Sequence, residues 1–101
     1  MKIIGIYKIT SVTGKVYIGQ SIDIEKRLDY YKQLACINQT ALFNSLIKHG
    51  YDNHKVDVLE ECDAVELNKK ERFWQEYYDV LGKNGLNCML QPYNGCSGKM
   101  A

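Results

Sequence analysis

Proline occurs once in this 101-residue chain, and no apolar stretch runs beyond a few positions. The first absence excludes a collagen-like or proline-rich chain. The second excludes a membrane-spanning helix, which needs about 20 apolar residues in a row. An excess of one charge is also missing: 13 basic against 12 acidic residues leave a net charge of +1. No large field therefore marks a nucleic-acid or membrane protein, and anion binding has to come from local clustering. The four cysteines, Cys36, Cys62, Cys88 and Cys96, form no C-x-x-C pair, and the two histidines, His49 and His54, stand at no zinc-finger spacing from them. Free thiols in a reducing compartment are the expectation. The opening Met1-Lys2-Ile3-Ile4-Gly5-Ile6-Tyr7-Lys8 is interrupted too early for a secretory signal. A cytoplasmic chain with no membrane attachment is expected.

What is present is ordinary in bulk and unusual in detail. Hydrophobic residues at 46% and charged residues at 25% suit one soluble domain. Eight tyrosines are many for this length, and each needs a partner for its hydroxyl when buried. Isoleucine-rich Ile3 to Thr10 reads as a strand, Ser11-Val12-Thr13-Gly14 as a turn, and Lys15 to Gly19 as a second strand, together an antiparallel hairpin. Ser21 is the expected N-cap of a helix from Ile22 to about Ala35. A second helix is expected from about Gln39 to His49, stopped by Gly50, and a third strand from Val56 to Glu60. Asp63 with Glu66 resembles a capping box opening a third helix to about Leu81, and Gly82, Asn84 and Gly85 end it. The order ββααβα predicts an α+β fold, a small three-stranded antiparallel sheet flanked by helices.

Two charges fall on apolar helix faces. Glu71 lies in the stripe of Leu67, Trp74, Tyr78 and Leu81. A carboxylate there has to be paired, metal-bound, protonated or at the mouth of a cleft. Arg27 lies at the edge of the face formed by Ile24, Leu28, Tyr31 and Ala35. The two could form a structural ion pair across packed helices. The alternative is a cleft with a phosphate-binding arginine and a metal-binding carboxylate, which suits phosphodiester hydrolysis. Tyrosine has a pKa near 10, so about one in a thousand is ionised at pH 7. As a general base it needs a nearby cation, such as Arg27 or a metal on Glu71. For Tyr7 and Tyr17 the alternative is simple sheet packing.

Gly5-Ile6-Tyr7 followed by Tyr17-Ile18-Gly19 resembles the two-part signature of the GIY-YIG nucleases. The likeness continues in order through Gln20-Ser21 and Glu25-Lys26-Arg27, then Lys48-His49-Gly50, Glu71-Arg72-Phe73-Trp74 and Gly85-Leu86-Asn87. It is most similar to the N-terminal catalytic domain of phage and intron homing endonucleases. The resemblance implies a DNA endonuclease dependent on Mg²⁺ or Mn²⁺. By it, Tyr7 is the general base, Tyr17 orients water or the scissile phosphate, and Arg27 stabilises transition-state charge. Glu71 holds the metal, and Asn87 holds the site together or contacts the phosphate.

Many members carry a histidine one turn after the arginine, where this chain has Tyr31. The bacterial excision-repair branch is similar here and has tyrosine. Tyr31 is then the expected hydrogen-bond partner of Tyr7, and Gly5 is expected to leave open space beside Tyr7 on the same strand face. Lys8, Lys15, Lys26, Arg27 and Lys32 are expected to form one DNA-binding cluster on the hairpin and first helix. Residues 1–90 read as the nuclease domain and 91–101 as a tail or the start of a linker. A C-terminal DNA-recognition region is the partner the resemblance implies, so the chain is either an excised domain or a stand-alone nuclease. Its expected location is cytoplasmic, in the host cell if phage-encoded. The rival readings are a catalytically silent nucleic-acid-binding module and an interaction domain with Arg27–Glu71 as an ion pair.

Overall fold

The hairpin expected from the alternating apolar residues forms the centre of the fold. The computed structural model describes residues 3–34, 40–80 and 85–87. Strand β1 (Gly5–Thr10) pairs antiparallel with β2 (Val16–Ser21) and with β3 (Lys55–Glu61), giving the order β2-β1-β3. Helices α1 (Ile24–Lys32), α2 (Thr40–His49) and α3 (Leu67–Tyr78) complete the α+β fold. The expected ends at Ala35, Gln39 and Leu81, the stops at Gly82 and Asn84, Cys36, Cys88 and Cys96, and the 90/91 boundary all lie outside the described residues. No helix among the described residues is long and apolar enough to cross a membrane.

The period-2 pattern of the strands divides the core between two faces. Tyr7, Ile9 and Tyr17 pack on one face with Ile24 and Tyr31 of α1 and Leu42 and Leu46 of α2. Ile6 and Ile18 pack on the other with Leu67 of α3 and Val80. Both faces are therefore covered, which explains why these short strands carry isoleucine and tyrosine at successive positions. Gly14 takes φ +86° and closes the hairpin turn, as expected of a residue without Cβ.

Two helix starts differ from the sequence reading. Ser21 does not cap α1. It belongs to β2, opposite Gly5, and its Oγ accepts the Asp23 N–H at 2.9 Å. Asp23 is the N-cap, accepting the Lys26 N–H at 3.2 Å. Sheet pairing took the serine, and the next short polar side chain capped the helix instead. The Asp63–Glu66 capping box also does not form through side chains. The Glu66 N–H donates to the Asp63 carbonyl, a 3-10 turn spans Ala64–Glu66, and α3 begins at Leu67.

Gly5 leaves no open space beside Tyr7, contrary to expectation. A Cβ there would overlap the Glu60 carbonyl and stand 2.9 Å from Glu61 Cα. Gly5 lets β1 and β3 approach next to the register shift between Ile6 and Tyr7. The space at Tyr7 comes from Gly19, its cross-strand partner. A Cβ on Gly19 would overlap the Tyr7 ring and hydroxyl and stand 2.9 Å from the Tyr17 ring.

Candidate active site

The edge strand β2 presents Tyr17 to one sheet face and Gln20 to the other, and α1 and α3 flank that edge. A cavity of about 500 Å³ opens there, with Tyr7, Tyr17, Gln20, Arg27, Tyr31 and Glu71 among its lining. The cleft draws side chains from both sheet faces around the β2 edge.

Tyr7 and Tyr31 are both fully buried, at 1% and 0% exposure, and their hydroxyls are 2.5 Å apart. Tyr31 therefore does partner Tyr7, because residues 24 and 31 share the buried face of α1 that packs on β1 and β2. The rings of Tyr7, Tyr17 and Tyr31 stand about 6 Å apart pairwise. Burial drives the Tyr7 hydroxyl well above its ordinary value, the neighbouring tyrosines add to this, and Arg27 pulls the other way. Tyr17 is shifted upward too, first by burial. The expected lowering of Tyr7 by Arg27 is thus present but outweighed by desolvation in the free chain.

Glu71 is 6% exposed on α3. Burial pushes its carboxyl up to about 7, opposed by a hydrogen bond from Gln20 Nε2 at 2.6 Å. Among the described residues no ion pair joins Glu71 to Arg27, so the structural-pair alternative is not realised. Arg27 is half-buried, its guanidinium carbon 5.1 Å from the Tyr30 ring centroid. It lines the first cavity and an adjoining one that Lys26 and Tyr30 also line.

Asn87 does not line the cavity. Its side chain accepts the Ile18 N–H at 2.8 Å and donates to the Ile18 carbonyl at 2.9 Å. It pairs with the edge of β2 as a neighbouring strand would. The five expected DNA-binding cations do not form one cluster. Lys26 and Arg27 flank the cleft, whereas Lys8 lies over the Tyr78 ring at 4.7 Å, on the α3 face. Adjacent positions on a strand face opposite ways, so Lys8 points away from Tyr7. Lys32 stands 5.7 Å from the Tyr51 ring and Lys15 is exposed at the turn. Sequence reasoning missed Gln20, Gly19 and Tyr30. Only the Y-I-G tripeptide signalled Gly19, and nothing in the helical periodicity signalled Gln20.

Glu71 gives the fold a measurable pH dependence in metal-free buffer. The folded chain holds this proton more tightly than an ordinary carboxyl at 4.5, with a value of about 7. Its contribution is complete below the unfolded value and is lost as pH rises through the folded one. Chemical denaturation in EDTA at pH 5 and pH 8 is expected to show the parent losing roughly 2 kcal/mol relative to Glu71→Gln. A stability difference between the two that does not change with pH would contradict the burial of a titrating Glu71.

A family model described as the GIY-YIG catalytic domain matches residues 3–85. No curated protein matches the chain in sequence. Among solved structures, the chain is similar to the catalytic domain of the homing endonuclease I-TevI. The two are 29% identical with a TM-score of 0.72, over 85% of this chain and 98% of that one. A point mutant of the catalytic domain of intron endonuclease I-TevI matches at 29% identity and a TM-score of 0.74, over 92% and 99%. With the signature strands paired and the arginine and glutamate brought to one cleft, this chain belongs to the GIY-YIG catalytic domain family.

Proposed function

We propose that this chain is a DNA endonuclease domain that hydrolyses phosphodiester bonds in the Tyr7–Arg27–Glu71 cleft, with one divalent cation, Mg²⁺ or Mn²⁺, at Glu71. The carrying observation is that a guanidinium and a buried carboxylate line one cavity without pairing with each other. Family membership and the likeness to a homing endonuclease domain support nuclease chemistry.

The donor set suits a hard cation held by few protein ligands. Among the described residues no group of three or more His, Cys, Asp or Glu could enclose a metal. Mg²⁺ characteristically keeps several waters and takes one or two carboxylates plus substrate phosphate. Glu71 is such a carboxylate, raised by burial, and among the described residues no cationic side chain pairs with it. A cation bound there supplies positive charge for the phosphoryl and leaving oxygens.

The chain's own residues do the rest. Arg27 offers a planar fork of donors to the phosphate oxygens. Its Tyr30 contact covers one face of the guanidinium. Tyr7 as its phenolate is the group that accepts the proton from the attacking water, and Tyr31 hydrogen-bonds the same oxygen. Tyr17 narrows the cleft beside it. A separate recognition region supplies target choice, because a net charge of +1 gives little affinity of its own. The site of action is inside the cell that holds the DNA.

The test is nicking of supercoiled plasmid. Cleavage is expected with Mg²⁺ or Mn²⁺, to stop in EDTA, and to disappear in Glu71→Gln while the circular dichroism spectrum is unchanged. Cleavage in EDTA, or a Glu71→Gln variant that nicks at the parent rate, would reject the cation reading. DNA binding without any cleavage would favour a silent binding module.

A further inference from the structure

Gln20 ties the strand that carries Tyr17 to the helix that carries Glu71. Its Nε2 donates to Asn68 Oδ1 at 2.7 Å and to Glu71 Oε1 at 2.6 Å. A primary amide has two N–H donors, so both are engaged. Asn68 and Glu71 lie three residues apart on α3 and therefore share a face. The two acceptors, Asn68 Oδ1 and Glu71 Oε1, hold the amide from both sides. Gln20 also lines the cavity, unlike an amide that only staples a helix to a sheet.

We infer that Gln20 is a positioning residue for the cation site. Held by Asn68, it fixes Glu71 Oε1 and so the direction in which the carboxylate meets the cleft. This rests on the reading of Glu71 as the cation ligand. Residues that orient a metal ligand typically change metal affinity or activity about 10–100-fold when removed. Gln20→Met keeps side-chain length and volume and removes both donors. Asn68→Ala leaves the Gln20–Glu71 bond but frees its far anchor, so its effect is expected to be smaller.

The experiment measures Mn²⁺ binding to the full chain by electron paramagnetic resonance, alongside melting temperature and nicking kinetics. Gln20→Met is expected to weaken Mn²⁺ binding about tenfold or more. The Mn²⁺ concentration for half-maximal nicking should rise by the same factor, with kcat at saturating Mn²⁺ within a few-fold of the parent. A purely structural role would lower the melting temperature and leave Mn²⁺ affinity alone, which overturns the inference. If Glu71→Gln loses Mn²⁺ while Gln20→Met binds it like the parent, the inference about Gln20 falls and the cation site stands. If Glu71→Gln binds Mn²⁺ like the parent, the cation reading fails and this inference with it. Should Gln20→Met not fold, the parent decides. The Gln20 side-chain amide resonances must shift on Mg²⁺ saturation, and unmoved resonances overturn the inference.

Discussion

Arg27→Ala is expected to slow plasmid nicking by about a hundredfold to a thousandfold at saturating DNA and Mg²⁺, the range for removing one donor from a site of developing charge. The effect is assigned to the transition state for a geometric reason. Among the described residues Arg27 has no carboxylate partner, so its guanidinium charge is not neutralised before substrate arrives. Its ring contact with Tyr30 and its place on α1 hold it at the cleft without saturating its donors. Negative charge accumulates on the phosphoryl oxygens as the bond to water forms, and a preset fork of N–H donors gains most at that moment. DNA affinity is expected to fall far less, since one phosphate contact is a small share of a non-specific electrostatic footprint. Arg27→Lys keeps the charge and loses the fork, so it should restore binding more than rate. The measurement is kcat for nicking against Kd for a short duplex. Equal losses in both would make Arg27 a phosphate anchor and remove its assigned role.

Much of this cleft was legible because its chemistry conflicts with its surroundings. A glutamate between Leu67 and Trp74 is out of place on an apolar stripe, and the structure buries it at the cavity. Tyr31 was legible through helical spacing, which puts it on the same buried face as Ile24. The hairpin was legible from alternation and from a glycine where the backbone needs positive φ. Gln20 was not legible, since a glutamine near the end of a strand reads as a solvent-facing residue. Its partners are 48 and 51 positions away, and no local period reports such contacts. Gly19 shows the same limit. Its meaning depends on which residue stands across the strand pair, and register was not fixed by the turn alone. The cations differ for a simpler reason. One patch was expected because the hairpin adjoins the first helix, but strand alternation sends Lys8 to the opposite side.

Tyr7→Phe is expected to reduce nicking by about a hundredfold or more, within the usual range for a general base. The substitution removes one oxygen from a buried ring, so the fold should survive and the loss should be chemical. Tyr31 loses one hydroxyl partner but keeps the Tyr17 hydroxyl, which limits the destabilisation to about 0.5–1.5 kcal/mol. The pH profile gives the stricter test. Burial holds the Tyr7 proton more tightly than in free tyrosine, and Arg27 only partly offsets this. The phenolate is therefore scarce throughout the assay range, and its population grows tenfold with each pH unit. The parent rate at saturating Mg²⁺ should rise with a slope of about one in log units from pH 7.5 to 9.5, without a plateau. At limiting Mg²⁺ a second bend should appear near the Glu71 value of about 7. Protons and cation compete for that carboxylate, so the bend should fade as Mg²⁺ is raised. Glu71→Gln cannot show this bend. Tyr17→Phe should lose less rate and keep the rising slope, because the proposed mechanism gives the proton to Tyr7 and Tyr17 only lines the cavity. The decisive comparison is the slope above pH 7.5 in the parent and in Tyr7→Phe. A Tyr7→Phe variant that keeps both its rate and its slope would take the proton acceptor away from Tyr7 and leave Tyr17 or solvent hydroxide in its place.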